Sequence, residues 1–351
     1  MEKQPKTIVI TGATGLVGSH LVRSLSNDGY IVRAYGRSKK PPKMLLKYAN
    51  YCSWDITLEA NYQNTEFADV FVHTAGFVNF LGKKKDIYQA NIVGTQNALK
   101  LARKMSVKTF VYISSASVYD PLADKVMVNE SAQYAKRYLN YYAETKVEAE
   151  KLLRQVKDFE SIVIIRPHAI YGPGDRTIVP QILSRVKGHR FILPDRGNAK
   201  YSVTHVGNIV DAVRNIIKNP SKGTHIMNIT DQHPVEVQKF LNEVLDRYGN
   251  DVSIVKIPYW IGYTAAHIIE ASTKFTGFNK EPMLTVNIIS QLHHESTMSI
   301  DFAKNKINYR ARYSYKDGLD DTFEWIESIG GFSNINKYDS QLSWRGKVKS
   351  Y

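Results

Sequence analysis

Cysteine is nearly missing from this chain: Cys52 is the only one in 351 residues. An intramolecular disulfide framework and any multi-thiolate zinc site are excluded, and a reducing, cytoplasmic setting is the expectation. Acidic residues are scarce too, 33 Asp and Glu against 47 Lys and Arg, for a net charge of +14. The surplus reads as a solvated basic face or as attraction to an anionic partner or membrane surface. No zinc-finger, helix-turn-helix or RNA-recognition pattern accompanies it, so no nucleic acid is expected. No apolar run reaches the roughly 18 residues that a spanning helix needs. The opening MEKQPK passes straight into an apolar strand, without the leader of a secretory signal.

What is present is alternation. Short β-branched runs read as strands at Thr7–Ile10, Tyr30–Tyr35, Tyr51–Trp54, Val70–His73, Thr109–Ser114 and Ser161–Arg166. Helical patterns fall between them, near Leu16–Asn27, Ile87–Met105 and Asn140–Val156. This predicts an α/β chain: a Rossmann-type doubly wound parallel sheet over 1–170, with a smaller C-terminal substrate-binding region. A helix at 206–217 and a strand at 224–229 return to the sheet within 201–230, leaving 171–200 and 231–330 for the smaller region. Residues 331–351 are polar and basic with no clear period, and are expected to form a loose tail. The stretch 257–278 is apolar and aromatic, interrupted by His267, Glu270 and Lys274 on one helical face. It is expected to be a helix over a pocket, with Tyr259, Trp260, Tyr263, Phe275 and Phe278 either as apolar walls or as packed core; an interfacial helix touching a membrane is the alternative.

Gly12, Gly15 and Gly18 follow the first strand and open the first helix in TGATGLVG. A glycine triplet alone is weak, but in this context glycine allows a tight turn and close approach of a pyrophosphate to the free amides of a helix N-terminus. Thr14, Gly15, Leu16 and Val17 supply that backbone. Where a NAD-selective site carries a carboxylate at the end of the second strand, this chain has Gly36-Arg37-Ser38. Arg37 suits a 2′-phosphate, so NADP(H) is favoured and NAD(H) is the alternative. Asp55, followed by Ile56, is placed to accept from the adenine amino group; a helix-capping role is the plainer reading.

Tyr142 and Lys146 lie one helical turn apart, on one face. An ammonium so placed is expected to lower the phenol from about 10 and fit it for proton transfer. The other pair at this spacing, Tyr35 and Lys39, straddles a strand end where no helical face aligns it. Ser114 and Ser115 end the fifth strand; alternation lets only one of them face the reacting oxygen. Asn91, in the preceding helix, is read either as holding a water that relays protons from Lys146 or as purely structural.

These residues resemble the extended branch of the short-chain dehydrogenase/reductases, from Lys6 to about Ile329. The likeness rests on TGATGLVG, HTAG at 73–76, NIVGTQN at 91–97, SSASVY at 114–119, YAETK at 142–146 and RPHAIYGPGD at 166–175. It implies an NAD(P)-dependent oxidoreductase with Ser115, Tyr142 and Lys146 as catalytic residues. It implies further that Lys146 holds the nicotinamide ribose and that Ala75, Gly76, Pro167 and Ile170 contact the cofactor. Within the branch the chain is most similar to 3β-hydroxysteroid dehydrogenase-like and 2-alkyl-3-oxoalkanoate reductase-like members. The substrate implied is a small lipophilic ketone or secondary alcohol, of sterol or β-keto acid type, and a homodimer is common in the branch. Nucleotide-sugar epimerases and dehydratases, which hold NAD tightly, usually carry asparagine where this chain has Ala169, and often Arg-Asp near Tyr201-Ser202; they are the alternative. A sensor that binds NADP without turnover would tend to lack the tyrosine or lysine.

Overall fold

Strand β1 (Thr7–Thr11) is buried at every position because both faces of the sheet it belongs to are covered. With β2 (Ile31–Gly36), β3 (Asn50–Ser53), β4 (Val70–His73), β5 (Thr109–Ile113), β6 (Ser161–Pro167) and β7 (Gly223–Ile229), it forms a seven-stranded sheet in the order β7-β6-β5-β4-β1-β2-β3. All neighbours run parallel. The chain winds outward from β1 in one direction, then restarts at β4 and winds in the other. The crevice where the direction reverses, beyond the C-terminal ends of β1 and β4, is where open sheets of this kind bind ligands.

Period-two alternation divides the core into two layers. Ile8, Ile10, Val70, Val72, Val111, Val163 and Ile165 pack with α1 (Leu16–Asn27) and with the helix Val206–Lys218. Val9, Phe71, Phe110, Tyr112, Ile162 and Ile164 pack on the opposite face, against α2 (84–104) and α3 (Tyr141–Gln155). Within α2 a wide π turn spans Gln89–Val93, a local distortion that often marks a functional site.

The computed structural model describes residues 5–60, 66–79, 82–194, 197–249, 251–276, 284–336, 339, 341–349 and 351, the side chains of 273–276 excepted. In the smaller region, Val235–Glu236, Lys200–Tyr201, Ser296–Met298 and Lys125–Val128 form a second sheet. Its last strand comes from the loop after β5, so the first half of the chain contributes to both regions. Among the described residues, no helix is long and apolar enough to cross a membrane.

The terminal segment corrects the expectation of a loose tail. Leu342, Ser343 and Trp344 form a buried turn, and Trp344 and Tyr351 join the core layer beside α1. Its basic character is partly neutralised by pairs from Arg345 to Asp339 and from Lys349 to Glu324. A few apolar anchors without a period fix a segment that its average polarity obscures.

Candidate active site

The glycine turn joins β1 to α1 at the reversal point. Gly12 has a φ of +70°, a conformation natural to glycine, and a β-carbon there would lie 2.7 Å from the Ala75 amide. A β-carbon at Gly18 would lie 2.2 Å from the Gly12 carbonyl oxygen, so the helix can meet the turn only with glycine at this position. Gly15 caps α1 without a side-chain bond, which leaves the first-turn amides of Leu16, Val17 and Gly18 directed outward, together with Thr14 beside them. This is the arrangement that fits a pyrophosphate.

At the end of β2, Arg37 is exposed, and among the described residues no carboxylate pairs with it. Ser38 is held through its carbonyl, which accepts from the Tyr51 hydroxyl at 2.8 Å. Asp55 is half-buried; its Oδ1 accepts from the Thr57 amide at 3.0 Å and the Thr57 hydroxyl at 2.8 Å, which closes a local turn, and among the described residues no helix begins there for it to cap. Ile56 is buried, and its carbonyl accepts from Asn97 at 2.9 Å.

The catalytic candidates converge at the C-terminal end of β5. Asn140 caps α3, its side chain accepting from the Ala143 amide at 2.9 Å, which fixes the entry of the helix carrying Tyr142 and Lys146. The side chains of Ser115 and Tyr142 share a hydrogen bond. Ser114 is engaged elsewhere on α3, its hydroxyl donating to Glu150 at 2.5 Å. Lys146 is buried and donates to the Ile113 carbonyl at 2.8 Å and to the Tyr112 hydroxyl at 3.2 Å. A β-carbon on Gly76 would lie 3.8 Å from the Lys146 ammonium, so the loop of Ala75 and Gly76 closes over the lysine. Pro167 ends β6 in the buried layer, and Ile170, half-buried, pairs with Thr204 just beyond it.

One electrostatic expectation is corrected. Burial pushes Tyr142 up to about 12, with the Ser115 bond pulling the other way, rather than Lys146 bringing it down. The ammonium lies 5.8 Å from the Tyr142 ring centroid and is directed at the strand. Burial lowers Lys146 itself to about 8, while the nearby Glu150 raises it. Asn91 spends its side chain on structure: Oδ1 accepts from the Phe77 amide at 2.7 Å, and Nδ2 donates to Thr145 at 3.0 Å.

The residue types alone did not point to Glu150. It lies four positions beyond Lys146, on the same face of α3, and pairs with Arg166 at 2.5 Å with both side chains essentially sealed from solvent. Arg166 also donates to the Tyr119 hydroxyl at 2.8 Å, and Tyr134 donates to Glu150 at 3.0 Å. The regular spacing Tyr142, Lys146, Glu150 was the available signal. Tyr112, on the strand face that meets α3, was legible from the same alternation as Ser114.

The helix expected over 257–278 is found at Tyr259–Thr276. Tyr259 stacks on His293 with centroids 3.8 Å apart, and Tyr259 and Tyr263 pack with Leu139, next to the Asn140 cap. Trp260 departs from the pocket-wall assignment: it is 68% exposed, because the inner face of the helix is taken by Gly262 and Ala266. Phe278 and the side chain of Phe275 lie outside the described residues.

A Rossmann sheet with a glycine turn at its reversal point, and serine, tyrosine and lysine converging at the end of β5, defines an NAD(P)-binding oxidoreductase acting on CH–OH groups. The chain belongs to the NAD dependent epimerase/dehydratase family, whose model matches residues 8–230. It is 25% identical over 88% of its length to the 2-alkyl-3-oxoalkanoate reductase of Shewanella oneidensis, 84% of which is covered. It is 27% identical over 93% of its length to the decarboxylating sterol-4-alpha-carboxylate 3-dehydrogenase of Candida albicans, covering 99% of that protein. The solved structure of MoeE5 with UDP-glucuronic acid and NAD shares the fold, with a TM-score of 0.71 at 21% identity over 92% of this chain and 99% of that one.

Proposed function

We propose that the protein interconverts a ketone and a secondary alcohol on a lipophilic substrate of sterol or β-keto acid class, with NADP(H) as its dinucleotide. The observation that carries this reading is the convergence of Ser115, Tyr142 and a buried Lys146 at the C-terminal end of β5, with Lys146 bonded to the Ile113 carbonyl there. Residues 14–18 would hold the pyrophosphate through backbone amides, Arg37 the adenosine 2′-phosphate, and Lys146 the nicotinamide ribose. When bound, the dinucleotide supplies or accepts a hydride at its nicotinamide ring. Tyr142 gives the carbonyl oxygen its proton in reduction and takes the hydroxyl proton in oxidation. Ser115 donates to the same oxygen and orients it. A phenol near 12 keeps its proton at neutral pH, which suits it to the reducing direction.

The substrate class is supported by the names of the relatives and by Ala169. That residue has a φ of +45°, a left-handed conformation that asparagine tolerates better than alanine, yet no amide is present to engage a sugar-nucleotide diphosphate. Absence of a carboxylate at the end of β2 supports NADP(H), with Arg37 exposed in its place. The test is a panel of β-keto acids, sterol ketones and sugar nucleotides, monitored by NADPH absorbance with Tyr142→Phe as control. Oxidation of NADPH with a lipophilic ketone, lost in the variant, is the expected result. Turnover or thermal stabilisation by UDP-sugars alone would replace this reading with that of a sugar-nucleotide epimerase or dehydratase. Arg37→Ala should weaken NADPH and leave NADH unchanged; equal affinities before and after would remove the NADP(H) assignment.

A further inference from the structure

Three successive carbonyls of the glycine turn are gripped from behind by the terminal segment. The Trp344 indole N–H donates to the Ala13 carbonyl at 3.0 Å. The Ser343 hydroxyl lies 3.1 Å from the Thr14 carbonyl oxygen and 3.4 Å from that of Gly15, donating to either. Both side chains are buried, at 4% and 2% exposure, in the short turn Leu342–Trp344. Arg23 of α1 lies over the Trp344 ring at 4.4 Å. The Ser343 backbone meets Gly174 so closely that a β-carbon there would lie 2.8 Å from it. Gln341 donates to the Lys40 carbonyl at 3.3 Å, in the loop that follows Arg37.

A peptide group is a rigid plane, so a carbonyl held on one side fixes the direction of the N–H it shares that plane with. The Ala13 carbonyl shares its peptide with the Thr14 amide, and the Gly15 carbonyl with the Leu16 amide. The Leu16 amide belongs to the outward-facing set at the start of α1, and the Thr14 amide lies in the turn just before it. The Gly15 amide, in the plane between them, is already held by the Gly12 carbonyl at 2.8 Å.

We propose that Ser343 and Trp344 are positioning residues for the dinucleotide: by anchoring the carbonyl side of the turn they hold its amide side in the geometry that binds pyrophosphate. The inference rests on a dinucleotide occupying this turn. It adds that a segment more than 300 residues away in the sequence sets how tightly the dinucleotide is held. Since the pyrophosphate is common to both dinucleotides, the segment acts equally on NADPH and NADH, unlike Arg37.

The test uses the full chain and isothermal titration with NADPH and with NADH. Trp344→Phe keeps an aromatic ring, smaller than the indole, and removes the N–H donor, and Ser343→Ala removes the hydroxyl. Each should weaken both dinucleotides by the same factor, about threefold to tenfold for the loss of one neutral hydrogen bond. The KM for dinucleotide should rise while kcat at saturation stays within about twofold, since no reacting atom is touched. Tyr351→Phe is the control for general loosening: it removes a bond to Asp321 in the same segment without touching the turn. Unchanged affinities in both variants, or losses no larger than in Tyr351→Phe, would overturn the proposal. Wild-type protein that binds neither dinucleotide would overturn the proposed function along with it; wild-type binding with unaffected variants would remove only this inference.

Discussion

Replacing Glu150 by glutamine is the sharpest test of how the site is built. The carboxylate is fully buried, pairs with Arg166 at 2.5 Å, and accepts from Ser114 at 2.5 Å and from Tyr134 at 3.0 Å. Glutamine fills the same volume, so no cavity complicates the result. It removes the charge, however, and turns an amide donor toward a guanidinium that also only donates. Breaking one side of a buried ion pair costs about 3–5 kcal/mol, because the remaining charge is left without compensation. At 1% exposure the Arg166 side chain cannot recover the loss from water. For a chain of this length the unfolding entropy is about 0.7 kcal/mol/K, so the melting temperature should fall by about 4–7 °C.

The assay is thermal unfolding by circular dichroism, with a pH–rate profile beside it. Glu150 raises the Lys146 pKa, so its loss should move Lys146 further below its present value of about 8. The double variant Glu150→Leu with Arg166→Met removes both charges and should recover much of the lost stability. A fall of less than about 1 °C in Glu150→Gln, or a double variant no better than the single one, would refute the claim that a sealed charge pair fastens α3 to the sheet.

Tyr142→Phe should lower kcat by about 10²–10⁴ while dinucleotide affinity stays within a factor of two, read by steady-state kinetics and titration. His20 and His73 are fully buried, and burial holds each at about 3, below its unfolded value. Below about 6.5 the unfolded chain binds these protons first, so each histidine should take away about 2 kcal/mol between pH 8 and 5. Asp231, raised by burial to about 7, offsets part of this over the same range, because its folded carboxyl takes up a proton as pH falls. Denaturant unfolding of His20→Gln should therefore lose about 2 kcal/mol less than wild type on acidification, and equal losses would count against the reading. Ala169→Gly should raise the melting temperature by about 1 °C, since relief of a left-handed alanine exceeds the added freedom of glycine in the unfolded chain.

The sheet was legible because its central strands β1, β4, β5 and β6 are covered on both faces and therefore written largely in β-branched and aromatic residues, while the exposed edge strand β3 has no such run, and because glycines follow β1 in the spacing that its turn demands. Strand ends moved by only a residue or so, as at Ile31 and Thr11. Lys125–Val128 was not legible. Its two central residues are exposed, and it is extended because Ser296–Met298, some 170 residues further on, gives it a partner. Ser343 and Trp344 were missed for the same kind of reason. A segment that binds by a few anchors to carbonyls elsewhere leaves no period in its own sequence. Non-local pairing is what the local pattern fails to carry.

The Tyr142–Lys146 spacing illustrates the opposite limit, in which the pattern was read correctly and its electrostatic meaning was not. One helical turn does bring lysine beneath tyrosine, yet the ammonium is turned to the Ile113 carbonyl and the Tyr112 hydroxyl. Burial acts on both groups toward their neutral forms, phenol upward and ammonium downward. The protein alone thus presents a protonated tyrosine hydrogen-bonded to Ser115, next to a lysine poised to lose its proton. Such a pair is set to donate to a carbonyl oxygen. To accept a proton from an alcohol, it must first gain positive charge nearby, which oxidised nicotinamide carries and reduced nicotinamide does not. Direction of reaction would then follow the redox state of the dinucleotide through Tyr142. A tyrosine whose pH dependence is the same with either form bound would defeat that argument.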